Sequence, residues 1–304
     1  MRIVATGLQF PEGPIARPDG SVLLVEIARE TLSRVTPDGA VEVVAEIPGG
    51  PNGAAIGPDG RVYVCNNGGF TWLRENGTIR PTGTPASYAS GSIEAVDPAT
   101  GRVERLYDSC DGRRLCGPND LVFDGGGGGF WFSDLGKRRE RDMDYGAIYW
   151  ARADGSEIRE VVHGMLTTNG IGLSPDGRTL YAAETITGRL WAWDVVAPGT
   201  LRKRPWPALH GATLAAAAGG TVRLDSLAVT QSGKVCVAAL DRCAVAVMDP
   251  ATGGVDYVTA PDMMVTNICF GGPDRRTAFV TLSHEGRLAA LDWPEPGLAL
   301  AHGG

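Results

Sequence analysis

Short runs of alternating apolar and polar residues, separated by glycine-containing turns, fill this chain. Arg61-Val62-Tyr63-Val64-Cys65-Asn66 and Leu190-Trp191-Ala192-Trp193-Asp194 show the pattern, and Pro-Asp-Gly turns at 18–20, 37–39, 58–60 and 175–177 punctuate it. A period of two bounded by such turns predicts strands joined in hairpins. The pattern also repeats. A polar residue opens a strand, a turn follows, and a second strand returns. This phrase begins at Glu12, Asn52, Asn119, Asn169, Asp225 and Asn267, at intervals of 40 to 67 residues. In four copies an Asp marks the turn seven residues after the opening residue (12 to 19, 52 to 59, 169 to 176, 267 to 274). Strand repeats of about 40–50 residues are the signature of a propeller. The fold predicted is all-β, a six-bladed β-propeller with four-stranded antiparallel blades. Residues 1–10 supply an outer strand to the last blade, a closure that removes exposed sheet edges.

The opening residues carry the chemistry. All six are carboxylates or carboxamides. Asn and Asp are common at strand starts because they hydrogen-bond their own backbone, but six equivalent oxygen donors exceed what turn chemistry asks for. Related by a pseudo-rotation axis, they converge at one end of the central channel and predict a cation site. Hard oxygen donors without imidazole or thiolate suit Ca²⁺, Mg²⁺ or Mn²⁺. A divalent ion with open positions would polarise a carbonyl or phosphoryl oxygen. Asp225 is then either the general base on a water or the attacking carboxylate.

The remaining features narrow the class. No linker interrupts the repeats, so one domain over 1–304 is expected. The net charge of −7 argues against a nucleic-acid partner. No apolar run approaches the roughly 18 residues of a membrane span. No Gly-x-Ser-x-Gly elbow, phosphate-binding loop or dinucleotide fingerprint is present. The six cysteines lack zinc spacing; Cys110 and Cys116 could close a small disulfide loop, but reduced thiols and a cytoplasmic location are preferred. Asn66 to Ser92 is an aromatic, glycine-rich insertion, read either as a lid over the channel mouth or as a packed surface loop. The charged run 137–145 leaves a strand on the same side and can bring an Arg or Tyr145 to a bound anion. His163 is expected at the surface, and His284 is a candidate for the channel lining. Ala-rich strands with few aromatics imply tight packing between blades, and Val195 to Gly220 offers little readable chemistry.

Phe10-Pro11-Glu12-Gly13-Pro14, Gly117-Pro118-Asn119-Asp120-Leu121-Val122-Phe123-Asp124 with Gly129-Phe130-Trp131-Phe132-Ser133-Asp134, Thr168-Asn169-Gly170-Ile171 and Asp225-Ser226 together resemble the SMP-30/gluconolactonase/LRE family of six-bladed propeller hydrolases. The resemblance runs over roughly residues 8–293. It implies a divalent-metal-dependent lactonase holding one divalent cation, Ca²⁺ first, with Mn²⁺, Mg²⁺ or Zn²⁺ as alternatives. Glu12, Asn169 and Asp225 are then ligands, and Asn119 joins them as in the diisopropylfluorophosphatase-like and drp35-like branches. Asp120 would sit beside the ion or reach it through a water, Ser226 follows the ligand Asp, and Asn52 and Asn267 neighbour the site. Gly117 stands where the regucalcin-type branch carries a substrate-binding Arg, which moves the resemblance toward the drp35-like lactonases. The implied substrate is a small lactone. Phosphotriester hydrolysis at the same site and a non-catalytic scaffold with a structural cation are the alternatives; a strictosidine-synthase-like propeller, with a catalytic Glu and no metal cluster, fits less well.

Overall fold

The computed structural model describes residues 1–126 and 128–303; Gly127 of the glycine turn and Gly304 lie outside the described residues. Six antiparallel sheets follow one another as the blades of a propeller. Blade 1 runs through Pro11–Ala16, Val22–Glu26, Thr31–Val35 and Val41–Glu46. Blade 2 uses Pro51–Ile56, Val62–Asn66, Ser92–Val96 and Val103–Tyr107. Blade 3 uses Pro118–Phe123, Gly129–Asp134, Gly146–Arg152 and Ile158–Met165. Blades 5 and 6 begin with Arg223–Val229 and Val265–Gly271. The first strand, Arg2–Ala5, pairs with Arg287–Asp292 and completes blade 6. One sheet therefore holds both ends of the ring together.

Blade 4 carries one strand more than the four expected. After Thr168–Leu173, Thr179–Glu184 and Arg189–Ala197, both Thr200–Arg202 and Thr213–Ala217 lie on its outer edge, so the sheet extends to Ala217. The long third strand makes room for two short partners, 200–202 and 213–217, drawn from the stretch that offered little readable chemistry.

Apolar clusters fill the wedges between blades, and they are less uniform than the Ala-rich strands suggest. Tyr63 of blade 2 meets Phe123 and Phe130 of blade 3 at 5.1 and 5.7 Å between ring centroids, and Phe132 stacks on Tyr149 in the same cluster. Trp131 and Trp150 of blade 3 share a buried apolar cluster with Trp191 and Trp193 of blade 4. The wedges between blades 4, 5 and 6 are mainly aliphatic. Alternation puts one face of each strand into one wedge and the other face into the next, so both faces are buried. All six cysteines are free, Cys110 and Cys116 included.

Two features finish the ends of the channel. On one side, the Asn66 to Ser92 insertion folds a hairpin, Thr71–Glu75 with Thr78–Gly83, over the mouth. On the other side, residues 298–303 run from blade 5, where the Leu298 N–H donates to Val229 O, to blade 3, where the His302 ring meets Phe123 edge-on at 5.4 Å. This tail lies across the far opening and bounds a chamber of about 350 Å³. Among the described residues, no helix is long and apolar enough to cross a membrane.

Candidate metal centre at the channel mouth

The opening residues sit where each innermost strand breaks register with the second strand. The shift falls between Glu12 and Ile15, Pro51 and Ala54, Pro118 and Leu121, Thr168 and Ile171, Leu224 and Leu227, and Val265 and Asn267. A bulge inserts an extra residue and re-aims its side chain. Repeated six times, it turns Glu12, Asn52, Asn119, Asn169 and Asp225 toward the axis at one level, where all five line a cleft of about 880 Å³.

The sixth member is displaced by one residue. Aligned on the pairing, the position equivalent to Asp225 in blade 6 is Thr266, and Asn267 corresponds to Ser226 and Asp120. The inner strand of blade 6 runs one pair further before its turn, so counting back from Asp274 lands one position late. Asn267 and Asp120 accordingly face the lower chamber and not the outer cleft. The ring thus has five oxygen donors of the expected type, plus the Thr266 hydroxyl beside Glu12.

Glycine brings neighbouring strands close enough for the ring to form. A Cβ on Gly53 would stand 2.5 Å from Asp120 Cα, and one on Gly170 would stand 2.8 Å from Asp225 O. Gly13, at φ +52°, packs in the same way on Asn52 O at 2.7 Å. The Gly that follows Glu12, Asn52 and Asn169 is a spacing device as much as a turn residue.

A second set of polar residues braces the ring from behind, and the sequence reading missed it. Glu26, Asn66, Asp134 and Glu184 end the second strands and accept N–H groups from the segments that lead into the ring. Glu26 Oε2 takes Gln9 N at 2.7 Å, Asn66 Oδ1 takes Gly50 N at 2.8 Å, and Glu184 Oε1 takes Leu166 N at 2.6 Å. Asp134 takes Cys116, Gly117 and Gly136 N–H groups at 2.9, 2.7 and 2.8 Å. The signal was a polar residue closing an otherwise apolar strand in four copies of the repeat.

The ring is electrostatically crowded. Asn267 Nδ2 and Gly13 N–H donate to Glu12 Oε2 at 2.7 and 2.9 Å. Ser226 Oγ reaches Asn169 Oδ1 at 3.4 Å. Burial raises the Glu12 carboxyl above its ordinary range in spite of those donors. Burial, then the Glu12 charge, pushes Asp120 up to about 8. Burial, then the Glu12 and Asp120 charges, holds Asp225 well above the usual carboxylate range, against the pull of the Asn169 amide. Three carboxyl groups that oppose one another's ionisation, in a buried place, ask for a positive charge.

Elsewhere the expected contacts divide. Arg138 and Arg139 line the cleft, but Arg139 is bound to Asp142 and Asp144. Tyr145 is exposed and sits against the exposed His163 ring at 6.1 Å, away from the cleft. His284 contacts Ile79 of the insertion and lines neither the cleft nor the chamber. Gly117 has a packing reason: a Cβ there would meet Gly136 O at 2.7 Å, so the 135–137 turn occupies the place a side chain would need.

The profile of the SMP-30/Gluconolactonase/LRE-like region matches residues 10–284. The chain belongs to this family. Among curated members, a gluconolactonase of Zymomonas mobilis is 24% identical over 221 residues, which cover 66% of this chain and 56% of that protein. Lactonase drp35 of Staphylococcus saprophyticus is 31% identical over 201 residues, covering 66% of this chain and 55% of the relative. The chain thus spans little more than half the length of these relatives. In fold it is similar to regucalcin of Agrobacterium tumefaciens, described as a calcium-binding protein, with a TM-score of 0.74, 19% identity and coverage of 98% and 97% of the two chains. A gluconolactonase from Xanthomonas campestris gives 0.73 at 20% identity, covering 96% and 89%.

The donors present in this SMP-30/gluconolactonase chain fit a divalent cation. The buried Asn119 Oδ1 has no hydrogen-bond partner among the described residues. A buried carboxamide oxygen without a donor is costly; beside crowded carboxylates it has the character of a ligand. Among the described residues no three His, Cys, Asp or Glu side chains form a metal-ligand group by themselves. The set that meets here mixes carboxylates with carboxamides, all hard oxygen donors, which favours Ca²⁺ over a soft-ligand metal.

Proposed function

We propose that this chain is a divalent-metal-dependent lactonase, with Glu12, Asn119, Asn169 and Asp225 holding one cation, Ca²⁺ before Mn²⁺, Mg²⁺ or Zn²⁺. The observation that carries the reading is the unpartnered Asn119 Oδ1 set among carboxyl groups whose proton affinity is raised by burial and mutual repulsion. The names of the relatives, gluconolactonase and lactonase, support the substrate class, and the calcium-binding title of the regucalcin neighbour supports the ion.

When bound, the cation supplies Lewis-acid polarisation of the lactone carbonyl. The residues of the chain do the rest. Asp225 accepts the proton of the attacking water and is the general base. Asn267 and the Gly13 N–H hold Glu12 by one oxygen, which fixes the orientation of the other. Ser226, donating to Asn169 Oδ1, orients that carboxamide. Phe70 and Thr71 of the insertion wall the cleft above the ring. As the acyl C–O bond of the ring breaks, Asp225 returns that proton to the leaving ring oxygen, and the opened ring departs as a hydroxy acid.

The test is acid release from sugar lactones, an aromatic δ-lactone and a phosphotriester, after chelation and again after adding back single ions. Lactone turnover lost to the chelator and restored by Ca²⁺ supports the reading. Turnover indifferent to chelation removes the metal from it, and a preference for the phosphotriester changes the substrate class. Asp225→Asn should leave the fold intact and lower kcat by at least about a hundredfold, the range of a lost general base.

A further inference from the structure

Lys137, in the connection between the second and third strands of blade 3, is 3% exposed. Its Nζ donates to Gly69 O at 2.8 Å and reaches Asn67 Oδ1 at 3.4 Å. It lies over the rings of Phe70 and Tyr88, 4.6 and 4.9 Å from their centroids. All four partners belong to the insertion of blade 2. Among the described residues no carboxylate lies within ion-pairing distance of it. The acids nearby are engaged elsewhere: Asp134 with three backbone N–H groups, and Asp144 with Arg139. Tyr88 itself donates to Cys116 O at 2.6 Å. A surface lysine extends its ammonium into water; this one is withdrawn from it, and burial draws it down to about 8.

The place it grips leads to the ring. Asn67 N–H donates to Gly50 O at 2.8 Å, and Gly69 N–H donates to Asn67 Oδ1 at 2.8 Å. A Cβ on Gly69 would stand 2.9 Å from Gly49 O, so the root of the insertion lies flat on the turn that enters the strand of Asn52. The far flank of the hairpin is tied independently. Ile79 N–H donates to His284 O at 2.9 Å, and Trp72 packs on Phe10 at 5.1 Å. The side facing blade 3 is held by this buried cation together with two hydroxyls, Thr84 Oγ1 donating to Arg138 O at 2.9 Å and Tyr88 to Cys116 O.

We propose that Lys137 is a positioning residue for hydrolysis: by clasping the root of the insertion to blade 3, it holds Phe70 and Thr71 as the wall of the substrate cleft. The inference rests on the reading of that cleft as a lactonase site. Lys137 lines the same cleft, but its ammonium is spent on Gly69 and Asn67 and not on the ring, so its loss weakens substrate binding without altering the chemical step. Cation–π contact and donation to a carbonyl are both within the reach of Arg, which makes Lys137→Arg the rescuing variant and Lys137→Met the charge-free one of similar length.

The experiment measures kcat and KM for the most reactive lactone of the panel, together with amide hydrogen exchange, in wild type, Lys137→Met and Lys137→Arg. In Lys137→Met, exchange at Thr71–Gly83 is expected to accelerate by about tenfold with the inner strands unchanged, and KM to rise by about tenfold with kcat within about twofold, the pattern of lost ground-state binding. Lys137→Arg should recover most of both. Unchanged exchange in the hairpin, unchanged KM, or a fall in kcat at constant KM would each overturn the proposal. If wild type opens no lactone, the lactonase reading falls by itself; hairpin exchange that still depends on Lys137 keeps the clasp, and exchange that does not removes it.

Discussion

Glu184 shows how much of the site depends on residues that would never contact a substrate. Burial works against its charge, yet His210, the Leu166 N–H, Thr187 and Trp191 bring it down to about 2 from 4.5. The unfolded carboxyl gains its proton near 4.5 and the folded one only near 2. The stability it supplies is therefore complete above the unfolded value and disappears as pH falls through that window. The difference in unfolding free energy between wild type and Glu184→Gln should shrink by about 3 kcal/mol from pH 5.5 to 2, as read by denaturant titration. At this scale the sequence was legible for identities and less so for register. Glu12, Asn119, Asn169 and Asp225 were named from the repeat and lie together on the cleft. Asn267 was placed in the ring by its distance from a turn Asp, and the extended hairpin of blade 6 put Thr266 there instead. A bulge leaves no mark on a one-dimensional pattern of apolar and polar residues, which is why the two could be exchanged.

At the scale of elements, the inner strands are held apart by less than the width of a methyl group. Gly53→Ala would drive a Cβ to 2.5 Å from Asp120 Cα and 2.7 Å from Asp120 Oδ1. It is expected to cost about 1–3 kcal/mol and to weaken Ca²⁺ binding as well, because Asn119 moves with the displaced strand; calorimetric titration and thermal melts would report both. The insertion offers a second test. Lys137 sits near 8 against an ordinary 10.5, so between those values the unfolded chain keeps a proton that the folded chain has lost. Its contribution to stability rises with pH across that window, and the gap in denaturant midpoint between wild type and Lys137→Met should move in favour of wild type from pH 7.5 to 10. The strands and their pairing were readable from alternation and turns. The outer edge of blade 4 was not, since 195–220 is held by pairing to a neighbouring strand and its own composition carries little β signal. The aromatic wedges around Tyr63 and Trp150 were also hidden, because residues from two separate blades meet there.

For the molecule as a whole, the proposed ligands come from blades 1, 3, 4 and 5, so an ion bound there would tie together wedges that otherwise meet only through their side faces. A ligand at a hundred times its Kd stabilises a fold by about 2.7 kcal/mol, and Ca²⁺ should raise Tm by several degrees in wild type and by far less in Asp225→Asn. The ring is also closed by the pairing of Arg2–Ala5 with Arg287–Asp292. Deleting residues 2–5, which removes that pairing, should lower Tm and loosen exchange in blades 6 and 1 before the others. The tail at 298–303 has a different consequence. It lines the chamber at the far end, while the ring opens onto the cleft beneath the hairpin, so on the proposed lactonase reading substrate enters and hydroxy acid departs on the hairpin side. A departing product and an arriving substrate then exclude each other. Added hydroxy acid should steepen double-reciprocal plots without moving their intercept, and accumulation of product should slow the enzyme long before the lactone is exhausted.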